Sequence, residues 1–223
     1  MSERLPLNIF IDSSTLYNSV KIPQDSFSLL GANLNRWLVD LLKSLGVLNQ
    51  PVIHGNVDPR AVVSGQVFIE KGAKVGPFAV IQGPCFIGKN SDIRHCAYLR
   101  GDVYIGESCV VGHTTEVKSS CFFDHAKASH FAYIGNSILG QSSNLGAGTK
   151  LANLKLNSSD VSYRHPISDS VVSSGLKKFG SILGDFCQTG CNSVLSPGSL
   201  LLPKTSVMPC LHYRGTLKKG IAR

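Results

Sequence analysis

From Val57 to Ala128 an apolar residue returns at every sixth position. Val57, Val63, Ile69, Val75, Ile81, Ile87, Ile93, Leu99, Ile105, Val111, Val117 and Phe123 lead twelve successive hexads. With 43% of the chain hydrophobic, an unbroken run of this length arises by chance about once in 10^4 to 10^5 tries, so the repeat is a structural signal. The fifth position of each hexad is small (Ala, Val, Cys, Ser or Thr) in eleven of the twelve, with Lys127 the exception. Short strands separated by turns at this spacing predict a parallel β-helix, each coil laying its strands on the previous one at ~4.8 Å. The large lead residue and the small fifth residue both point inward, which suits a narrow core.

The ruler slips after Phe123: Ser129 takes an aliphatic slot, and Ile134 and Leu139 follow after steps of five. The six-step returns at Leu145 and Leu151. Residues 155–176 lose it altogether and predict a protruding loop or hairpin. It resumes at Leu183, Thr189, Leu195, Leu201 and Val207. The β-helical domain is therefore placed at residues 51–210, with a basic tail at 211–223 carrying Arg214, Lys218, Lys219 and Arg223.

Residues 1–50 form a separate appendage. Residues 7–11 (LNIFI) fit a short strand followed by polar turn material. Leu34, Trp37, Leu38, Leu41, Leu42 and Leu45 fall on one face of a helix. Asn33 is placed as its N-cap, and Gly46 stands where a helix C-terminus favours glycine. Trp37, the one Trp, reads as an anchor packing this helix on the β-helix.

Composition adds limits. The formal net charge of +8 favours anionic partners, but the basic residues are scattered, which points to a small anionic ligand rather than nucleic acid. The start MSERLPLN has no charged-then-apolar leader, and no apolar run approaches the length of a membrane span. A cytoplasmic protein without a membrane partner is expected. The seven cysteines form no CxxC pair, and Cys85, Cys109, Cys121 and Cys187 fall in the small slot, so they read as buried hydrophobes.

Several residues could carry chemistry. Arg100 and Lys118, eighteen apart, stack in adjacent coils, where like charges repel unless an anion lies between them. The pair reads equally as a phosphate clamp or as two solvated bases. His130 stands at the slip in the ruler, and an imidazole there is either a general base or a corner residue satisfied by backbone. His95, His113 and His125 raise the question of a metal, but stacked surface histidines account for their spacing better. Asn144-Leu145-Gly146-Ala147-Gly148-Thr149 strips side chains from a corner, which would let a ligand approach the amides of Gly146, Ala147 and Gly148.

The segment SSCFFDHAKASHFAYIGNSILGQSSNLGAGTKLAN resembles the active-site segment of the acetyltransferase domain in bacterial bifunctional N-acetylglucosamine-1-phosphate uridyltransferases and their archaeal sugar-1-phosphate relatives. These are hexapeptide-repeat proteins with an all-β, left-handed parallel β-helix of three hexads per triangular coil. The shared core is K-A-x-H-x-x-Y-[IL]-G, an Asn eleven residues after that Tyr, then G-A-G-T and a further Asn. The resemblance covers about residues 57–210, and KKFGSILGDFCQTGCNSVLSPG is most similar to the archaeal branch.

The resemblance implies that His130 is the general base on the amine of glucosamine 1-phosphate and that Asn153 positions that amine or the acetyl thioester. It implies that Arg100 and Lys118 grip the sugar phosphate and that Tyr133, Asn144 and Lys178 add substrate contacts. The Ala147 amide would meet acetyl-CoA, and Cys191 would lie near this co-substrate. No metal is required for such a transfer. The family forms homotrimers with each site between subunits.

Two features depart from the pattern. After Asn153 the bacterial enzymes continue with an aromatic-acidic-glycine turn, whereas this chain has Leu154-Lys155-Leu156 and the excursion. Residues 1–50 hold no Gly-rich nucleotide loop, so a separate nucleotidyltransferase enzyme is expected to supply the uridylyl step. Two other readings stand beside the acetyltransferase: a catalytically silent hexapeptide-repeat scaffold that assembles with other chains, and a metal-dependent hydratase similar to the γ-class carbonic anhydrases.

Overall fold

The lead aliphatics of the repeat stack directly on one another. In a computed structural model that describes residues 5–12 and 21–223, Ile69 pairs with Ile87 and Ile87 with Ile105. Val57, Val75, Ile93 and Val111 form a second column, and Val63, Ile81, Leu99 and Val117 a third. Three parallel sheets of nine, nine and eight strands result. Sheet I runs from Val52–Ile53 to Thr216–Leu217, sheet II from Asn56–Val57 to Ile221–Ala222, and sheet III from Val62–Ser64 to His212–Tyr213. Together they make the left-handed prism of a hexapeptide-repeat β-helix. Its core is the buried aliphatic columns with the small residues between them, each large side chain worth about 1.5–3 kcal/mol when taken from water.

The first slip in the ruler lies two hexads earlier than the hexad count places it, between Val117 and Phe122 rather than between Ser129 and Ile134. Between Leu99 and Val103 the chain turns through Gly101 and Asp102, both left-handed, at φ 78° and 51°; between Val117 and Ser120 it turns through Ser119 alone, at φ 45°. That corner is one residue shorter, so the coil that crosses it repeats after seventeen residues: Ile105 pairs with Phe122 and Val111 with Ala128. A second single-residue corner at Asn136, at φ 46°, gives the same spacing from Phe122 to Leu139. Phe122, not Phe123, enters the core, and Ala128, not Ser129, fills the next aliphatic slot. The exception at Lys127 disappears, because Ala126 occupies the small interior position. Cys121 moves with it to the outer side of sheet I, while Cys85, Cys109 and Cys187 stay inside.

The outer side of sheet I is covered. An α-helix, α1 (Gly31–Ser44), buries Leu34, Leu38 and Leu42 against Phe86, Tyr104, Cys121 and Ile138. Phe68, Phe86 and Tyr104 form a stacked ring ladder, and Trp37 meets Tyr104 edge-on at 5.3 Å, the anchoring role its place on the helix suggests. The helix starts earlier than expected. Leu30 is its N-cap and no side chain caps it, because Asn33 turns back to donate to the Phe27 carbonyl; Gly46, at φ 79°, follows its C-terminus. The expected strand at residues 7–11 is instead a 3-10 turn, Leu7–Ile9, held by the Gln24 carbonyl and packed by Leu5, Leu7 and Phe10 into the same cluster. The polar stretch beyond it falls largely outside the described residues.

The excursion is a hairpin, Ser162–Arg164 against Val171–Ser173. It does not simply protrude: Val161, Tyr163 and Phe179 are buried beside the appendage, and Phe27 packs on both rings at 5.6 and 5.8 Å. The basic tail builds a last turn of the prism, with Leu200 pairing Thr216 and Val207 pairing Ala222. Among the described residues no helix is long and apolar enough to cross a membrane.

Candidate functional site

As on sheet II, with Lys127, Asn144 and Gln188, and unlike the covered sheet I, the outer face of sheet III presents polar side chains. Tyr98, Glu116, Tyr133 and Lys150 stack outward along it in register. One long edge of the face follows the ends of the sheet II strands, and the other follows the turn into sheet I.

His130 belongs to the first edge. It is in register with His113 rather than at the break in the ruler, which lies at Ser119 on the opposite edge. Continuing the pairings Ala128 to Leu145 and Leu145 to Thr189 by two residues places Ala147 and Cys191 in the next two coils of this column. At one strand spacing per coil, His130 and Cys191 lie about 10 Å apart along the axis. Below His130, the neighbours are His113 and then His95, whose ring stacks on that of His113 at 4.6 Å. His125 turns at a different corner, so the three histidines singled out by spacing do not converge, and the actual column substitutes His130 for His125. No group of three or more His, Cys, Asp or Glu suited to a metal occurs among the described residues.

The glycines beside this column serve the coil more than a ligand. A Cβ on Gly146 would stand 2.5 Å from the Gly190 carbonyl carbon, and its N–H donates to the Thr189 carbonyl at 2.8 Å. Gly148, at φ 71°, donates to the His130 carbonyl at 3.1 Å. Both bare amides are therefore consumed within the prism. The N–H groups of Ala147 and Cys191 donate to no group among the described residues, leaving two open donors in consecutive coils beyond His130. His130 and Cys191 are exposed. Phe131, also exposed, follows His130 at a left-handed φ of 34° and lies against Gly148.

The second edge holds Arg100 and Lys118 in adjacent coils, with Gln82 before and Gly135 after them. Arg100 is not a free charge. Its Nη1 lies 2.6 Å from Glu116 Oε1, and its guanidinium sits over the Tyr98 ring at 5.6 Å. Lys118 has no ion pair or hydrogen-bond partner for its side chain among the described residues. Glu116, absent from the residues singled out by sequence, stands two residues before Lys118, the spacing that puts both on one side of a strand.

Asn153 lies on the same edge and is almost fully buried. Its Nδ2 donates to Asn136 Oδ1 at 2.7 Å, and its Oδ1 accepts from the Tyr133 hydroxyl at 3.4 Å. Both ends of the amide are thus oriented, and Asn136, which no motif in the sequence marks, sets which end faces where. Burial and the Glu116 carboxylate raise the Tyr133 hydroxyl above its ordinary pKa, against an opposing pull from Arg100. Tyr133 therefore stays a proton donor at neutral pH. Lys178 pairs with Leu154 as the hairpin returns, and the next amide, Phe179, donates to the Asn153 carbonyl at 2.9 Å. The excursion thus delivers Lys178 beside Asn153.

Arg100, Lys118, Tyr133, Asn153 and Lys178 are brought to one side of the face, and His130, Ala147 and Cys191 to the other. The sheet III strand between them, Tyr133–Gly135, spans three residues, roughly 10 Å, which long side chains can close upon a small molecule. Asn144 is not brought to this face: it points outward from sheet II, stacked between Lys127 and Gln188.

Residues 81–212 match the family described as the GMPPB C-terminal domain. A bifunctional sugar-1-phosphate nucleotidylyltransferase/acetyltransferase of Sulfurisphaera tokodaii is 34% identical over 74% of this chain and 39% of its own length. Proteins named bifunctional protein GlmU are similar as well. That of Methanococcus vannielii is 33% identical over 82% of this chain and 46% of its own length; that of Methanococcus maripaludis is 43% identical over 84% and 42%. The chain spans less than half the length of these relatives.

Proposed function

Because the chain belongs to the GMPPB C-terminal domain family, with relatives whose name includes an acetyltransferase, we propose that it transfers an acetyl group from acetyl-CoA to the amine of an amino-sugar 1-phosphate, glucosamine 1-phosphate foremost. The supporting observation is the pair of edges flanking sheet III. One carries an imidazole followed by two open backbone amides, and the other carries two cations beside a buried, oriented amide.

In this reading Arg100, Lys118 and Lys178 hold the phosphate, and Tyr133 and Asn153 orient the sugar. His130 takes a proton from the amine. The nitrogen lone pair attacks the thioester carbonyl, and the developing oxyanion is met by a backbone amide of the Ala147–Cys191 column, where fixed donors are worth several kcal/mol, roughly 3–4 by analogy with other oxyanion sites. Collapse breaks the carbon–sulfur bond, and the thiolate leaves with the proton that His130 returns. No covalent enzyme intermediate is needed. Holding both substrates across one face supplies much of the rate. Asn144, which faces away from this site, would contribute from a neighbouring subunit of a homotrimer, working in the cytoplasm.

Release of free CoA thiol from acetyl-CoA, measured with a panel of amino-sugar phosphates, tests the reading. Turnover that falls in His130→Ala supports it. Thiol release with none of the amines would favour the scaffold reading instead.

A further inference from the structure

A cavity of about 610 Å3 opens on sheet III at the end remote from Arg100, where the excursion leaves the prism. Leu154, Leu156 and Pro197 give it an apolar wall, Lys155, His212 and Arg214 stand around it, and no carboxylate lines it. Leu156 is fully solvent-exposed, at 107% of its reference area, an unusual position for a large aliphatic beside a concavity. Arg214 makes no ion pair or hydrogen bond among the described residues. Lys155 donates only to the Asp160 carbonyl at 2.5 Å and the Ser159 hydroxyl at 3.4 Å, neither of which neutralises its charge. His212 shares a 2.7 Å hydrogen bond with Ser196. Nearby, at the hairpin tip, Arg164 and Lys218 both pair with Asp169. The lack of a counter-charge is therefore local to the cavity.

We propose that this cavity is a second binding site, for a nucleoside diphosphate. The volume falls in the range of small-molecule pockets, which are mostly apolar with a few placed polar groups. Three basic groups suit two adjacent phosphates better than a single carboxylate, and Arg214 can hold a phosphate with two parallel hydrogen bonds. The Leu154, Leu156 and Pro197 surface matches the flat face of a base, and covering it would remove Leu156 from water. The cavity is built by Leu154-Lys155-Leu156, the segment in which this chain departs from the bacterial pattern. It includes neither Arg100 nor Lys118, but it adjoins the proposed acetyl-transfer site, because Ala152 and Leu154 of its lining flank Asn153 and Leu154 pairs with Lys178.

Calorimetric titration of the full chain with UDP and ADP, against inorganic pyrophosphate and decanoate, tests it. The nucleoside diphosphates should bind saturably and about tenfold more tightly than pyrophosphate, a difference the apolar wall can supply. Arg214→Ala and, at the fully exposed position, Leu156→Asp should each weaken binding about tenfold, with unchanged circular dichroism. Arg100→Ala/Lys118→Ala should leave it unchanged. Absence of saturable binding, equal binding of pyrophosphate, stronger binding of decanoate, or loss confined to the Arg100/Lys118 variant would each overturn the proposal.

Discussion

Sheets I and III share one prism and the same kind of interior, and they differ in what faces outward. On sheet I the outward column is Phe68, Phe86, Tyr104, Cys121 and Ile138, and a helix covers it. On sheet III it is Tyr98, Glu116, Tyr133 and Lys150, flanked by His130 on one edge and Arg100 on the other. The repeat therefore dictates the scaffold, and the alternate positions decide which side is packed and which is left for chemistry. A variant on one sheet should leave the property of the other untouched.

The largest separation is expected from His130→Ala. Loss of a general base should lower kcat/KM for acetyl transfer by about 10^2–10^4, while the melting temperature stays near wild type because the side chain is exposed. Steady-state kinetics and a thermal melt on the same preparation check both halves. The mirror experiment is Leu38→Ala on the covered side. Emptying this fully buried site should cost about 2–5 kcal/mol in denaturant unfolding, with activity per folded molecule retained.

Arg100→Ala should come next, raising KM for the sugar phosphate about 10–100-fold, the effect of losing one charge-assisted contact, with little change in kcat. Glu116→Gln is the smallest. Its partly exposed ion pair with Arg100 contributes about 0–1 kcal/mol, and removing a carboxylate beside the phosphate should lower KM by up to about threefold. A rise in KM would show instead that Glu116 is needed to aim Arg100.

The sequence displays the inside of the prism better than its outside. Interior positions repeat because every coil must fill the same narrow core, so the columns from Val57 to Val117 can be counted directly. A corner shortened by one residue at Ser119 is less visible, since the neighbouring Phe122 and Phe123 satisfy either register by hydrophobicity alone. The misfits at Lys127 and Ser129 mark the true frame, in which Ala126 and Ala128 face inward and His130 stands in a regular column. The glycines at Gly146 and Gly148 have their amides engaged between coils, while the amide of Ala147 between them donates to no group among the described residues, a difference that only the register displays. The pairs Glu116–Arg100 and Asn136–Asn153 join different coils, so they become visible only once the register is known. The helix was readable from its leucines, whereas its start was not, because the Asn33 side chain is drawn to the Phe27 carbonyl.

The contrast between the two sheets is most directly tested by following the imidazole signals of His130 and the indole N–H of Trp37 in one nuclear magnetic resonance titration with glucosamine 1-phosphate. Trp37 lies beneath sheet I, against Tyr104. The prediction is that the His130 signals shift saturably while that of Trp37 stays fixed. A saturable shift of Trp37 with His130 unmoved would contradict the assignment of the chemistry to sheet III.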